Sequence, residues 1–317
     1  MAPPNYNAAE ARQKLASLRM GLSEPGITAS QGFNAYDPTE VVTLGLELLK
    51  TSETEIEWFA VLEQVFVACL DKGDIRGASA LLTKIESRFS YDSSVRVKRL
   101  HGLLAESHGD FDRAIEIYNA ALEQDEVNVL IHKRLVAVLV SQGKRTEAIE
   151  RLVVYVDAFM QDVEGWTELA ALYLEENMLQ QAAFCFEELL MLRPQNHLYH
   201  VRYAELLYTL GKFDPAVKYY CAALELCRDN VRALCGLRVA TAAVLAGQGK
   251  EKGAATGGKN AKKVVSVTRE GDEVDVVDSE TITALSKLAN DRLSALYTEA
   301  APEYPMINTV VKSWLST

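Results

Sequence analysis

The sequence predicts an all-α chain, a solenoid of stacked helical hairpins winding into a right-handed superhelical spiral, and three columns of residues predict it. Ala80, Ala114, Ala148, Ala182 and Ala216 recur at intervals of 34 residues. Twelve residues before each stands a mostly small side chain, Ala68, Gly102, Val136, Ala170 and Ala204. Small residues at facing positions let two antiparallel helices approach closely. Five residues before the last four alanines come Gly109, Gly143, Asn177 and Gly211. These types tolerate the left-handed backbone that a helix C-terminus needs before a tight turn. A 34-residue helix-turn-helix period is that of the tetratricopeptide repeat, whose hairpins bury their apolar faces only by stacking.

The unit starting at Val163 fits that consensus most fully, with Trp166, Leu169, Ala170, Tyr173, Ala182 and Phe186, then Pro194 closing the second helix. Four residues past each ladder alanine lie Lys84, Tyr118, Leu152, Phe186 and Tyr220. The large apolar column therefore fails in the first repeat, which reads as the degenerate end of the array.

The elements follow in order. Residues 1–36 hold a short helix around Ala8–Met20 and then a Gly/Ser/Pro-containing stretch, and much of this segment is expected to be mobile. The repeat solenoid is expected over 37–246. Its first helix opens with Asp37 as N-cap, Pro38 at the first helical position and Glu40 three residues after the cap. That helix carries Val41, Val42, Leu44, Leu48 and Leu49 and is read as a cap on the first hairpin. Five hairpins follow, near 54–89, 94–124, 128–160, 163–192 and 197–227, and a sixth first helix runs from Asn230 to about Ala246. The next ladder position is Lys250, where the chain turns to Gly and Lys, so the sixth hairpin is interrupted. Residues 247–278 read as a flexible insertion, Gly/Lys-rich and then acidic, with too little apolar surface to order itself; the alternations Val264–Val267 and Val274–Val277 are its one strand-like feature. Residues 279–300, with Ile282, Leu285, Leu288, Leu293 and Leu296 on one face, read as the closing helix of the solenoid. The tail 301–317 contains Tyr304, Met306, Ile307, Val310, Val311, Trp314 and Leu315 and is expected to dock on the solenoid or on a partner.

Composition narrows the functional classes. Formal charge is -11 and the hydrophobic fraction is 49%. The field of such a chain repels phosphate backbones and anionic lipid, which argues against nucleic acid as a partner. Cys69, Cys185, Cys221, Cys227 and Cys235 form no CxxC pair and read as reduced thiols. The N-terminus shows no apolar signal region. No run approaches the roughly 20 apolar residues that span a bilayer, and the most apolar late stretch, 231–246, is broken by Arg232 and Arg238. Membrane contact is therefore expected to be indirect, through other proteins.

Nothing in the sequence argues for an enzyme. GAATGGKN, Gly253 to Asn260, has the spacing of a phosphate loop through Lys259, but asparagine replaces the magnesium-binding hydroxyl and no strand precedes it. His101, His108, His132, His197 and His200 include no HExxH, and no cysteine stands at ligand spacing. No cofactor or metal is expected. Binding is the use that the architecture offers. Residues one, four and eight after the start of each repeat are expected to look into the concave side: Arg96, Arg99 and Leu103, then Leu130, Lys133 and Ala137, then Glu164, Thr167 and Ala171, then Leu198, Val201 and Glu205. The candidate partner-binding residues are Arg96, Arg99, Lys133, Glu164, Thr167, Leu198, Val201 and Glu205. Basic residues lie early and apolar ones late, so the groove suits a peptide with an acidic end and an apolar end. The competing reading is that Arg96, Lys98 and Arg99 form an ordinary charged face satisfied by Glu106 or other neighbours.

Several strings carry a more specific resemblance: VRVKRLHGLLAE at Val95–Glu106, AAFCFEELL at Ala182–Leu190, NHLYH at Asn196–His200, YAELLYTLGKF at Tyr203–Phe213 and RALCGL at Arg232–Leu237. Over roughly residues 40–245 the chain resembles the family of subunit 2 of the ER membrane protein complex, while the insertion at 247–278 departs from that family's pattern. The resemblance implies a non-catalytic, peripheral scaffold on the cytoplasmic face of the endoplasmic reticulum. It implies a part in an insertase that places transmembrane helices, including those of tail-anchored proteins, into the ER membrane. The implied partners are the membrane subunits 3 and 5 and one soluble subunit, 8 or 9, in a hetero-oligomer. The alternative is a co-chaperone adaptor that clamps an acidic chaperone tail. Such a clamp needs asparagines beside its basic residues, and this groove offers Arg96, Arg99 and Lys133 without them.

Overall fold

The computed structural model describes residues 11–12, 14–15, 36–51, 55–254, 278–299 and 305–315. Among them the chain forms fourteen helices: α1 (Pro38–Thr51), α2 (Glu55–Lys72), α3 (Ile75–Glu86), α4 (Val95–Ser107), α5 (Phe111–Leu122), α6 (Val129–Ser141), α7 (Arg145–Ala158), α8 (Val163–Glu175), α9 (Leu179–Leu192), α10 (His197–Thr209), α11 (Phe213–Leu226), α12 (Val231–Ala254), α13 (Ser279–Glu299) and α14 (Pro305–Leu315). The class is the expected one, a helical tetratricopeptide-type solenoid. Two compact units divide at Ala148 and Ile149, within α7.

The turns between hairpin helices share one construction. Gly73, Gly109, Gly143, Asn177 and Gly211 all have positive φ. At each, the residue's own N–H reaches back three residues and the next N–H reaches back five, as in Gly109 to Glu106 O at 2.9 Å and Asp110 to Ala105 O at 3.0 Å. This Schellman arrangement satisfies carbonyls that the helix end would leave bare. Several helices then restart on side-chain caps: Asp74, Asp110, Asn128, Asp162 and Asn196 accept from N–H groups two or three residues on.

These turns correct the reading of the first hairpin. Gly73 stands five residues before Ala78, and Ala78 is fully buried whereas Ala80 is exposed. The true ladder is Ala78, Ala114, Ala148, Ala182 and Ala216, each fully buried. In the shifted frame the position four past the ladder is Leu82, buried, in place of exposed Lys84, so the large apolar column holds in every hairpin. The cause is a longer connection: α4 starts 20 residues after α3 starts (75 to 95), whereas α6 starts 18 after α5 (111 to 129).

In the first unit, Ala11 and Leu15 are helical and buried with Val41, Leu44, Leu48 and Ala68. Gln64 Nε2 donates to Leu15 O at 3.2 Å, and Arg12 pairs with Glu57 at 2.7 Å. These described parts of the N-terminal segment are therefore packed on α1 and α2. The rest of 1–35 lies outside the described residues. Asp37 caps α1 through Thr39 N–H at 2.8 Å, while Glu40 pairs with Lys14.

In the second unit, α12 runs on to Ala254, past the Ala246 at which the sequence reading ends it. The remainder of the insertion, 255–277, including the phosphate-loop-like string and the strand-like alternations, lies outside the described residues. α13 packs along α12, with Ile282, Ala289 and Leu293 fully buried. α14 is anchored by Arg238, whose guanidinium lies 4.0 Å from the Trp314 ring centroid and donates to Trp314 O at 2.7 Å and to Asn290 Oδ1 at 2.9 Å.

Candidate partner-binding surface

One column of first-helix residues closes the connections rather than facing a ligand. His132 Nε2 donates to Glu126 O at 2.9 Å, Trp166 Nε1 to Met160 O at 2.9 Å and His200 Nε2 to Pro194 O at 2.8 Å. Each ring reaches six residues back, in three successive repeats. The equivalent in α4 is Lys98, buried and 5.8 Å from the Tyr91 ring centroid, and there Gln124 Nε2 serves the matching Asp92 carbonyl at 2.9 Å. His197 Nδ1 meets Asn230 Nδ2 at 2.9 Å. Both histidines of the α10 start thus hold the fold together.

Of the predicted groove residues in the first unit, Arg96 and Arg99 converge on one carboxylate. Glu63 of α2 accepts from Arg96 Nε at 2.5 Å and pairs with Arg99 through its other oxygen. The Glu63 side chain is 13% exposed and that of Arg96 65%. Where the sequence reading expected Arg96, Lys98 and Arg99 to be satisfied by Glu106 or other neighbours, Glu63 takes the two arginines and Lys98 is buried against Tyr91. Glu106 is instead engaged by Arg134 and by the Tyr118 hydroxyl. Burial alone would lower the Arg134 guanidinium, but the bond and charge of Glu106 hold it above its ordinary value. Lys133, beside it on α6, is half-buried.

In the second unit, Glu164 and Thr167 are exposed on α8, and Thr167 Oγ1 donates back to Val163 O at 2.7 Å. Leu198 is 54% exposed, whereas Val201 is only 1% exposed. Val201 is thus a core position and not a groove contact, because its place on α10 points into the hairpin packing. Glu205 is held by Arg232 through both oxygens and by Arg202 at 3.5 Å. The bonds that Arg232 donates to Glu205 raise its guanidinium above its ordinary value.

Two hollows escaped the sequence reading. In the first unit Phe59, Ile85, Phe89, Val97 and Leu100 line a cavity of about 360 Å³ with Arg88 and Arg96 at its mouth. In the second unit a cleft of about 680 Å³ lies among α7, α8, α9 and the end of α10. Hollows made by residues from several helices have no local signature, although the exposed Phe184 beside the second was visible in the repeat columns. Among the described residues no three His, Cys, Asp or Glu side chains gather as a metal site. None of the described helices is long and apolar enough to cross a membrane.

Residues 92–220 match a family model described as the EMC2 TPR-like repeat domain. The chain is 37% identical over 213 residues to ER membrane protein complex subunit 2-A of Xenopus laevis, a match covering 66% of this chain and 71% of that protein. It is 38% identical over 173 residues to ER membrane protein complex subunit 2 of Dictyostelium discoideum, covering 54% and 53%. TPR repeat protein oca3 of Schizosaccharomyces pombe is 30% identical over 201 residues, covering 61% and 71%. The crystal structure of the C-terminal part of a TPR repeat-containing protein from Cytophaga hutchinsonii superposes with a TM-score of 0.54 at 13% identity, covering 92% of this chain and 95% of that one. That last likeness concerns the fold alone.

Proposed function

The chain belongs to the family of ER membrane protein complex subunit 2, and from that membership we propose that it works as a non-catalytic scaffold subunit of this complex. The observation that carries the reading is the 37% identity to a named subunit over 213 residues, beside the family-model match at 92–220. In this reading the complex inserts transmembrane helices, those of tail-anchored and multi-pass proteins, into the ER membrane. The chain stands on the cytoplasmic face as a peripheral protein and joins cytosolic parts of the membrane subunits 3 and 5 to a soluble subunit, 8 or 9. A chain whose described helices include no span makes its membrane contact through such partners.

We assign partner contacts to Arg96 and Lys133 in the first unit and, separately, to Glu164, Thr167 and Leu198 in the second. Arg99, paired with Glu63 and 19% exposed, and Glu205, held by Arg232, act by holding their neighbours in place; Arg96 shares Glu63, but its side chain is 65% exposed. The chaperone-clamp alternative is the weaker one, since Glu63 already occupies the Arg96 and Arg99 guanidiniums that a clamp would offer to the carboxylates of its guest.

The test is purification of the tagged full chain from gently solubilised membranes, with its stoichiometric companions identified by mass spectrometry. Several multi-spanning ER proteins together with one soluble subunit are expected. Recovery of a soluble chaperone alone, lost when the chaperone's last residues are deleted, would overturn the scaffold reading.

A further inference from the structure

Phe184 and Met191 stand on the outer face of α9, 53% and 75% exposed. They are seven residues apart, and so share one side of the helix. In the repeat frame they lie two and nine residues past ladder residue Ala182. The same two positions are Glu116 on α5 and its C-cap Glu123, Glu150 and Asp157 on α7, and Lys218 and Glu225 on α11; in the first hairpin they are the small Ala80 on α3 and its C-cap Ser87. Only the fourth hairpin places large apolar groups where its neighbours place charge.

The exposed phenyl is also one wall of the 680 Å³ cleft, with Val153, Trp166, Leu169, Tyr173 and Leu207 around it. That volume lies within the range of sites that accept apolar groups from a ligand. Asp157, Glu187 and Lys212 line the cleft, and exposed Glu150, seven residues before Asp157, shares its side of α7. The surroundings are thus apolar with a net acidic border.

We propose that this face of α7, α8 and α9 is a docking surface for an amphipathic helical segment of a partner protein, one that presents leucine-, phenylalanine- or methionine-type side chains flanked by lysine or arginine. Apolar anchors at helical spacing fill such a cleft, and the basic flanks meet Glu150, Asp157 and Glu187. The same acidic border disfavours an anionic membrane surface, and a second copy of the chain would set one acidic border against another. The cleft is lined by none of the groove candidates of α8 and α10, so it adds a second interface to the scaffold reading and does not rest on the groove.

The experiment uses the full chain and a fluorescent peptide of about five helical turns, leucines at positions i, i+3, i+4 and i+7 with lysines between them, followed by anisotropy. F184E/M191E is expected to weaken binding at least about tenfold, with an unchanged helical circular dichroism spectrum. M306E, on distant α14, is expected to bind as the unaltered chain does. Replacing the peptide's lysines by glutamates is expected to cost a similar factor. The proposal is overturned if the unaltered chain does not bind the peptide, if F184E/M191E binds it equally well, or if the acidic peptide binds as tightly. It is equally overturned if the double variant abolishes a self-association of the chain seen by sedimentation, or its attachment to phosphatidylserine vesicles. Co-purification with ER membrane proteins, measured separately, reads the scaffold function and does not depend on this outcome.

Discussion

A single methyl group tests the packing at Gly102. A Cβ built there would lie 2.2 Å from Cε1 of Tyr118, far inside van der Waals contact. The Tyr118 ring is fully buried and its hydroxyl is bound to Glu106, so the ring has no cheap way to move aside. Gly102→Ala is expected to lose about 1–3 kcal/mol, the range for overpacking a filled core, read as a lower urea midpoint. Gly247→Ala supplies the contrast, since the space around that helical glycine is open. Alanine there should gain about 0.5–1 kcal/mol through helix propensity. Equal midpoints for the two variants would mean that the close approach of α4 and α5 is not what the glycine provides. The need for a small residue at 102 was legible in the sequence, because its column repeats. The bond from Tyr118 to Glu106 was not, since neither residue marks its partner.

At the scale of elements, local periodic signals were legible and pairings distant in sequence were not. The helices, their left-handed turns and the large apolar column follow from side-chain types at fixed intervals. The frame was misread only in the first hairpin, where the longer connection from α3 to α4 shifts the ladder to Ala78 while Ala80 happens to keep the 34-residue interval. Arg96 and Arg99 look alike in the sequence whether they face a guest or Glu63, because their partner lies on another helix 33 and 36 residues away. The contact that holds α14 is further still. Arg238 reads in the sequence as an interruption of an apolar stretch, yet it stacks on Trp314, 76 residues on, and donates to its carbonyl and to Asn290. Cation–π attraction and hydrogen bonds of this kind are each worth about 1 kcal/mol. Met306 and Val310, on the same short helix, are strongly exposed, so these side chains add little to its hold on the fold. Arg238→Ala is expected to raise amide exchange across residues 305–315 severalfold while leaving α4 and α5 at their original rates. Unchanged exchange in α14 would show that its contacts with α13 suffice.

Across the described residues, buried tyrosines and buried thiols, Cys185 foremost among the latter, make stability depend on pH in a single direction. Tyr118 and Tyr203 each donate to a carboxylate, Glu106 and Glu187, from within the hairpin packing. Burial first, and these hydrogen bonds second, raise both phenols well above their ordinary value; Tyr155, bound to Asp162, behaves alike, and burial also raises Tyr220. Burial pushes the Cys185 thiol up to about 12. All are acids that ionise at lower pH in the unfolded chain than in the folded one. As pH rises, the unfolded state therefore loses its protons first, and the free energy of unfolding falls. The contribution is complete at neutral pH. It begins to decline from about pH 8.5 through the thiols and more steeply above about pH 10 through the phenols, where each type ionises when unfolded. Urea midpoints measured from neutral to alkaline pH should follow this profile. Tyr118→Phe combined with Tyr203→Phe is expected to lower stability at neutral pH, because Glu106 and Glu187 each lose a donor, and to flatten the fall above pH 10, because two of the responsible groups are gone. An alkaline slope as steep in the double variant as in the unaltered chain would assign the pH response to other groups.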